Sequence, residues 1–282
     1  MPTSVYIPLI SDYGFKSTFG NQTDTLFLRT ALQALIQSDV PITQVRFDKN
    51  AFEALTLDSR SGIFDLACTD QNGQHFIVEM QLGYAPHFLQ RIKFYALHQF
   101  NTLVERGEFD YANLPRIYAI AFLEKSILLT SQYHTVANLR DQQGELIDEQ
   151  LTFILVELAK FDTPIERITS DLDKLIYTMK TLHTTPETQY PAFWNEEWLR
   201  RAINELDTRQ MTPEERAQFA RITAANAEAV KAEKARTRQA IEATKTEAVK
   251  RALQRGRLTP EEIAEDTDVS LDFVLTVQQQ LS

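Results

Sequence analysis

The stretch IFDLACTDQNGQHFIVEMQ, Ile63 to Gln81, constrains the fold of this chain more than any other. Two runs of strand-forming residues flank the tetrapeptide DQNG, and such a turn between β-rich runs predicts a hairpin. The arms are Ile63–Thr69 and His75–Gln81. Side chains alternate along a strand, so His75, Ile77, Glu79 and Gln81 share one face of the second arm, and Phe76, Val78 and Met80 the other. Glu79 and Gln81 then point the same way, about 7 Å apart along the strand. Asp65, on the paired arm, reaches the same patch. Charged side chains in a core are costly unless something pairs with them, so this hairpin calls for a metal, a catalytic site or a salt-bridge network.

Two carboxylates this close repel and raise one pKa. A divalent cation removes that cost, and an oxygen-rich set suits Mg²⁺ or Mn²⁺. The physical expectation is an Asp-x(13)-Glu-x-Gln site that activates a water. On spacing alone a second reading stands beside it: Asp65 caps a turn and Glu79 pairs with Arg91 on the following helix.

The rest of the chain predicts an α/β order. Asp24–Gln37 carries Leu26, Phe27, Ala31, Ala34 and Leu35 at helical spacing, with Asp24 or Thr23 as the N-cap. Ile42–Asp48 alternates as a strand. After Pro86 the period changes to that of a helix, with Phe88, Ile92, Tyr95 and Gln99 as its stripe and Gly107 as its C′ residue. Pro115–Lys125 and Leu151–Phe161 are nearly continuous apolar runs, as in fully buried strands.

Beyond residue 162 the character changes. Ile165–Leu182 and Asn195–Leu206 have helical patterns. No Gly or Pro lies between Glu214 and Arg255, and Thr212, Pro213 and Glu215 form a capping-box start. A straight helix here runs roughly 60 Å at about 1.5 Å per residue. It is rich in Ala and in basic residues, which fits a solvated helix laced with i,i+4 pairs, a basic arm for nucleic acid, or a weak coiled coil. Thr259 and Ser270 start two short tail helices whose apolar set is Ile263, Ala264, Val269, Phe273, Val274 and Val277. They resemble a helix-turn-helix, but Leu271–Leu281 has no Arg or Lys, which favours packing over base recognition. The expected divisions are 1–162, 163–210, 211–257 and 258–282.

At 43% hydrophobic residues the chain can build a core, which excludes disorder throughout. A lone cysteine, Cys68, excludes a disulfide framework and points to a reducing compartment; as a thiol it suits a small core residue better than a nucleophile. MPTSVYIPLI lacks the basic start and long apolar run of a signal peptide, and no apolar run reaches spanning length. A cytoplasmic protein without a membrane segment is expected. The net charge of −10 argues against a surface coated for nucleic acid, but not against a local basic groove beside a metal site. The five histidines form no zinc pattern, and no phosphate-binding glycine loop or nucleophile-elbow motif occurs.

Four segments in order resemble the PD-(D/E)XK nuclease superfamily, and in particular the Rpn family of recombination-promoting nucleases and transposases. DYGFKSTFG, Asp12–Gly20, resembles the family's opening D-x-x-FK-x-x-FG. The hairpin resembles its D…G…EMQ unit. FLQRIKFYAL, Phe88–Leu97, resembles its R-x-x-x-Y helix, and VELAKF, Val156–Phe161, its closing strand. The resemblance spans roughly residues 5 to 162, and the tail GRLTPEEIAEDTDVSLDFV is similar to one that many members carry.

The resemblance implies an α/β, restriction-endonuclease-like αβββαβ core with a helical C-terminal extension. It implies a Mg²⁺-dependent DNA endonuclease (Mn²⁺ serving as well) of low sequence specificity, acting in recombination, element mobility or defence. Asp65 and Glu79 would hold the metal and, with Gln81 and Asp12, form the catalytic set. Gln81 stands where the superfamily more often has Lys, and offers only neutral hydrogen bonds. Lys16, Arg60 or Arg91 would supply the missing charge, and with Tyr95 would contact DNA. Asp12 has an alternative as the N-cap of its helix, and Tyr95 as part of the core stripe. Cutting both strands of a duplex needs two sites, so a homodimer follows from the reaction rather than from the residues. The competing functional readings are a nuclease-like module that binds nucleic acid or protein without cleaving, and an oligomeric scaffold assembled through the long helix.

Overall fold

The computed structural model describes residues 5–48, 65–83, 87–103, 114–256 and 258–281. The chain divides into two compact units, Met1–Arg216 and Ala217–Ser282. In the first, α1 (Asp12–Phe19) and α2 (Leu26–Ile36) precede β1 (Val45–Phe47), β2 (Leu66–Asp70) and β3 (His75–Gln81). Then come α3 (Phe88–Leu103), β4 (Ile117–Leu123), β5 (His134–Arg140) and β6 (Leu146–Glu157), followed by α4 (Asp171–Thr181) and α5 (Glu197–Glu205). The strands form one six-stranded sheet in the order β1-β2-β3-β4-β6-β5. β4 runs parallel to both β3 and β6, while β1, β2 and β5 pair antiparallel with their neighbours. The αβββαβ order expected from the sequence is present.

The hairpin turn is Asp70 to Gly73. Gly73 has φ +76, a conformation in which a side chain is strained, and its N–H reaches Asp70 O at 3.2 Å. The Asp70 carboxylate accepts the amides of Asn72 and Gln74 at 2.9 and 2.8 Å. This turn fixes the register, which pairs Leu66 with Val78 and Thr69 with His75. β4, buried at all seven positions, is the central strand, as an apolar run between two parallel neighbours should be.

Each face of the sheet has its own cover. On one, Phe88, Ile92 and Ala96 of α3 pack on Ala119, Ala121 and Leu123 of β4 and Leu155 of β6. On the other, Phe122 of β4 meets Phe15 and Phe19 of α1, at ring-centroid distances of 6.3 and 5.6 Å. Phe19 extends this cluster to Phe27 of α2, which stacks on Trp198 of α5 at 5.7 Å. Apolar burial on both faces, roughly 25 cal/mol per Å² removed from water, holds the sheet between its helices.

Several boundaries differ from those the sequence suggests. The α3 stripe is Phe88, Ile92 and Ala96; Tyr95 and Gln99 are only half-buried. Leu26 and Ala34 of α2 are likewise half-buried, and Leu28 and Leu32 take the core. Thr25 occupies its N-cap, although the Asp24 carboxylate still accepts the Leu26 amide at 3.1 Å. Ser170 caps α4 and accepts the Asp173 amide, so Ile165–Arg167 is a separate short turn rather than the start of one long helix. β5 has no counterpart in the sequence expectations. Gly107 and the first residues of the expected hairpin arm, Ile63 and Phe64, lie outside the described residues.

In the second unit, Val249 of α6 (Pro213–Arg255) packs with Ile263 of α7 (Pro260–Asp266) and with Val274 and Val277 of α8 (Leu271–Leu281). Capping boxes begin α6 and α7: Thr212 and Glu215 exchange hydrogen bonds at 2.8 and 3.2 Å, and Thr259 and Glu262 do the same at 2.8 and 3.3 Å. Among the described residues no helix is long and apolar enough to cross a membrane.

Candidate active site

The β2–β3 register, continued by one residue, sets Asp65 across from Glu79. Asp65 immediately precedes β2, and its Oδ2 accepts the Met80 amide proton at 2.7 Å. Ala67 and Ile77, two positions along from Asp65 and Glu79, sit in one cluster with Ile117 beneath α3. Both carboxylates therefore belong to the α3 side of the sheet. The next strand places Ala121 beside Glu79 and Leu123 beside Gln81, and the small Ala121 leaves room next to the carboxylate.

Glu79 is 8% exposed. Its Oε1 accepts from Arg91 Nη2 at 3.1 Å, and the same nitrogen donates to Gln81 Oε1 at 2.5 Å. The Arg91 guanidinium lies 5.1 Å from the centre of the Phe88 ring. Gln81 turns its amide nitrogen to Leu82 O at 2.8 Å. The other oxygen of Glu79, Oε2, is buried with no hydrogen-bond partner, as is Arg91 Nε. The expected pairing of Glu79 with Arg91 is thus present. It engages one oxygen of Glu79 and leaves the other without a hydrogen-bond partner.

The electrostatics follow from burial. The Glu79 carboxyl is pushed up to about 7, first by burial and then by the charge of Asp65; Arg91 and the Asp65 backbone N–H pull the other way and do not overcome them. Asp65 is also raised by burial, against its hydrogen bond from Met80 and the positive charge of Lys16. A buried acid raised by a half-buried one beside it is what a hard cation relieves.

Asp12 and Lys16 form an i,i+4 pair at 2.7 Å on α1. Ser11, rather than Asp12, caps that helix and accepts the Gly14 amide at 3.0 Å. The N-cap alternative for Asp12 is therefore corrected: the cap belongs to the residue before it, which has extended backbone. Both charges of the pair act on the Asp65 carboxyl. Among the described residues no three His, Cys, Asp or Glu side chains are grouped so as to hold a metal ion. Tyr95 packs against Ala67, Ile77 and Ile117. Its hydroxyl is pushed up by burial, with Arg91, Glu79 and Asp65 within electrostatic reach. Arg60 lies outside the described residues.

Two features near the site escaped sequence reasoning. Arg91 bridges Gln81 as well as Glu79, and only the helix placement reveals that. Glu157, fully buried at the end of β6, accepts the amides of Ile127 and Leu128 at 2.6 and 3.0 Å and pairs with Lys160. A charged residue inside the apolar run ILVEL was its only signal. With every oxygen satisfied, Glu157 is structural. Cys68 is buried, and burial raises its thiol pKa, which leaves it no nucleophilic role. His75 is also committed elsewhere, with Nδ1 3.0 Å from Thr69 Oγ1 and 3.5 Å from Asp48 Oδ2. A polar cleft of about 520 Å³ opens beside α1, lined by Tyr13, Lys16, Asn21, Glu205 and Glu215 among others, and includes neither Asp65 nor Glu79.

A family model described as PD-(D/E)XK nuclease family transposase matches residues 9–233, a span that takes in α1, the hairpin, α3, the rest of the sheet and the start of α6. No curated protein and no solved structure gives a significant match.

Proposed function

This chain belongs to the PD-(D/E)XK nuclease family of transposases, and on that premise we propose that it is a metal-dependent DNA endonuclease of low sequence specificity. It would hydrolyse phosphodiester bonds in recombination, element mobility or defence, in the cytoplasm. Cleavage of both strands would call for a homodimer. The observation that carries the reading is the pair Asp65 and Glu79: a half-buried and a buried carboxylate opposite one another, the second with an oxygen that has no hydrogen-bond partner.

In this proposal Asp65 and Glu79 hold Mg²⁺ or Mn²⁺, which when bound supplies an acidified water and neutralises charge on the phosphate. The chain does the positioning. The Met80 amide fixes the orientation of Asp65. Gln81 offers neutral hydrogen bonds to the attacking water or a phosphate oxygen. Lys16, about half exposed, stands at the Asp65 side and meets the backbone phosphates, with Asp12 holding its ammonium in place. Arg91 and Tyr95 border the other side. Arg60, three residues before Ile63 in the chain, belongs to the same set of DNA contacts.

The experiment is plasmid nicking by the purified protein in Mg²⁺, Mn²⁺ or EDTA, beside Asp65→Asn. Cutting that needs metal and disappears in the variant supports the proposal; equal cutting by the variant defeats it. A second reading rests on one observation, the engagement of Arg91 with both Glu79 and Gln81. If that arrangement is permanent, the protein is a nuclease-like binding module. Metal-independent DNA binding with no product in either metal would decide for it.

A further inference from the structure

We infer that Arg91, held by Glu79 and Gln81, is the resident counter-ion of Glu79, and that a divalent cation on Asp65 and Glu79 and the Arg91 guanidinium occupy the site in alternation. The inference rests on the proposed function and adds a competition inside the site.

Three observations carry it. First, a single nitrogen, Arg91 Nη2, donates to both Glu79 Oε1 and Gln81 Oε1. The cation therefore sits on the two side chains that point from β3 toward the site. Second, this grip is partial. Arg91 Nε is buried without a partner, and the remaining support for the guanidinium is the face of Phe88. A guanidinium has five donors in a rigid fork, and a permanent structural arginine would use more of them. Third, the Arg91 side chain is 38% exposed, so it has a way out to solvent.

Charge makes the two states exclusive. A divalent cation on Asp65 and Glu79 would lie beside a guanidinium bound to that same Glu79 carboxylate, and like charges at such distances repel strongly in a partly buried site. The residue at position 81 decides whether the arginine can sit there at all. An amide oxygen accepts from Arg91; a lysine at the same position would have no acceptor and would repel it. Gln81 and Arg91 thus act as a matched pair. The arginine keeps Glu79 neutralised before metal arrives, and its release places a free guanidinium at the mouth of the site, where a phosphate is the natural partner. Arg91 is in this sense a positioning residue.

The test is Mn²⁺ affinity without DNA, measured by electron paramagnetic resonance of the free ion, for the wild type, Arg91→Met, Arg91→Lys and Asp65→Asn. Competition predicts that Arg91→Met binds Mn²⁺ about tenfold tighter, a coupling of ordinary size. Arg91→Lys, which keeps the charge, stays near the wild type, and Asp65→Asn loses most of the binding. Equal or weaker binding by Arg91→Met, with binding lost in Asp65→Asn, overturns the competition and leaves the metal site standing. Unchanged binding by Asp65→Asn overturns the metal site and the competition with it. The wild type gives a check that needs no variant: phenylglyoxal modification of Arg91, followed by mass spectrometry, should speed up at saturating Mg²⁺. A rate that is unchanged or slower contradicts release of the guanidinium.

Discussion

Asp65 Oδ2 accepts the amide proton of Met80 at 2.7 Å. Met80 lies between Glu79 and Gln81, so the carboxylate of one hairpin arm is fastened to the backbone that aims both side chains of the other.

That hydrogen bond separates chemistry from stability at position 65. Asp65→Asn keeps an oxygen to accept from Met80, whereas Asp65→Ala leaves a partly buried amide without its acceptor, at about 1–3 kcal/mol. Urea denaturation should find the Asn variant near the wild type and the Ala variant lower. Metal-dependent nicking should fall in both by roughly a hundredfold or more, the scale of removing charged site groups.

The Glu79 carboxyl titrates near 7 in the folded protein, raised by burial and then by Asp65, and near 4.3 in an unfolded chain. Between these values the folded protein holds a proton that the unfolded chain has lost. In EDTA, stability from this group is therefore complete below about pH 4.3 and is lost as pH rises through about 7. Urea midpoints between pH 4.5 and 8 should show this fall in the wild type and a flatter profile in Glu79→Gln.

With metal present the sign reverses, because a ligating carboxylate must be ionised. Mn²⁺ affinity should weaken by up to about tenfold for each pH unit below 7, the slope of one proton per ion. Calorimetric titrations at pH 6 and pH 8 measure it. Equal affinities would remove Glu79 from the ligand set.

Gly14 is a packing constraint on the helix that carries Asp12 and Lys16. A Cβ at this position would meet Pro8 O at 2.2 Å and Leu9 Cα at 3.1 Å, and backbone atoms cannot turn aside as a side chain does. Gly14→Ala should cost about 1–3 kcal/mol, seen as a drop of several degrees in the thermal midpoint.

Glu157 tests the structural assignment on the same sheet face, level with Gln81 across Leu123 of β4. Removing its side chain leaves the amides of Ile127 and Leu128 without their acceptor and Lys160 without its counter-charge, with only Leu128 O to donate to. Glu157→Ala should lose about 3–5 kcal/mol, the usual cost of breaking a buried pair on one side. Activity per folded molecule, normalised by circular dichroism, should change far less than in Asp65→Asn.

The hairpin was legible because its signals are local. DQNG demands a tight turn, Gly73 supplies the positive φ, and a period of two then orders every residue from His75 to Gln81. The capping boxes at Thr212 and Thr259 were legible for the same reason: each is made within four residues. β5 was not. As an edge strand of the sheet it is half exposed, with no apolar alternation in HTVANLR, and its pairing along β6 from Leu146 to Val156 is settled by the sheet rather than by its own composition.

The sequence by itself determined which side chains could meet: the parity of β3 and the turn before it commit Glu79 and Gln81 to one face and bring Asp65 alongside. Only the tertiary structure decided what they meet. The parallel insertion of β4 between β3 and β6 puts Ala121 beside Glu79, and the seating of α3 on Ala119, Ala121 and Leu123 carries Arg91 onto Glu79 and Gln81. The physical reason is range. Turn chemistry and side-chain alternation act over a few residues, whereas the partner of a buried charge is chosen by the packing of elements that the chain brings together from far apart.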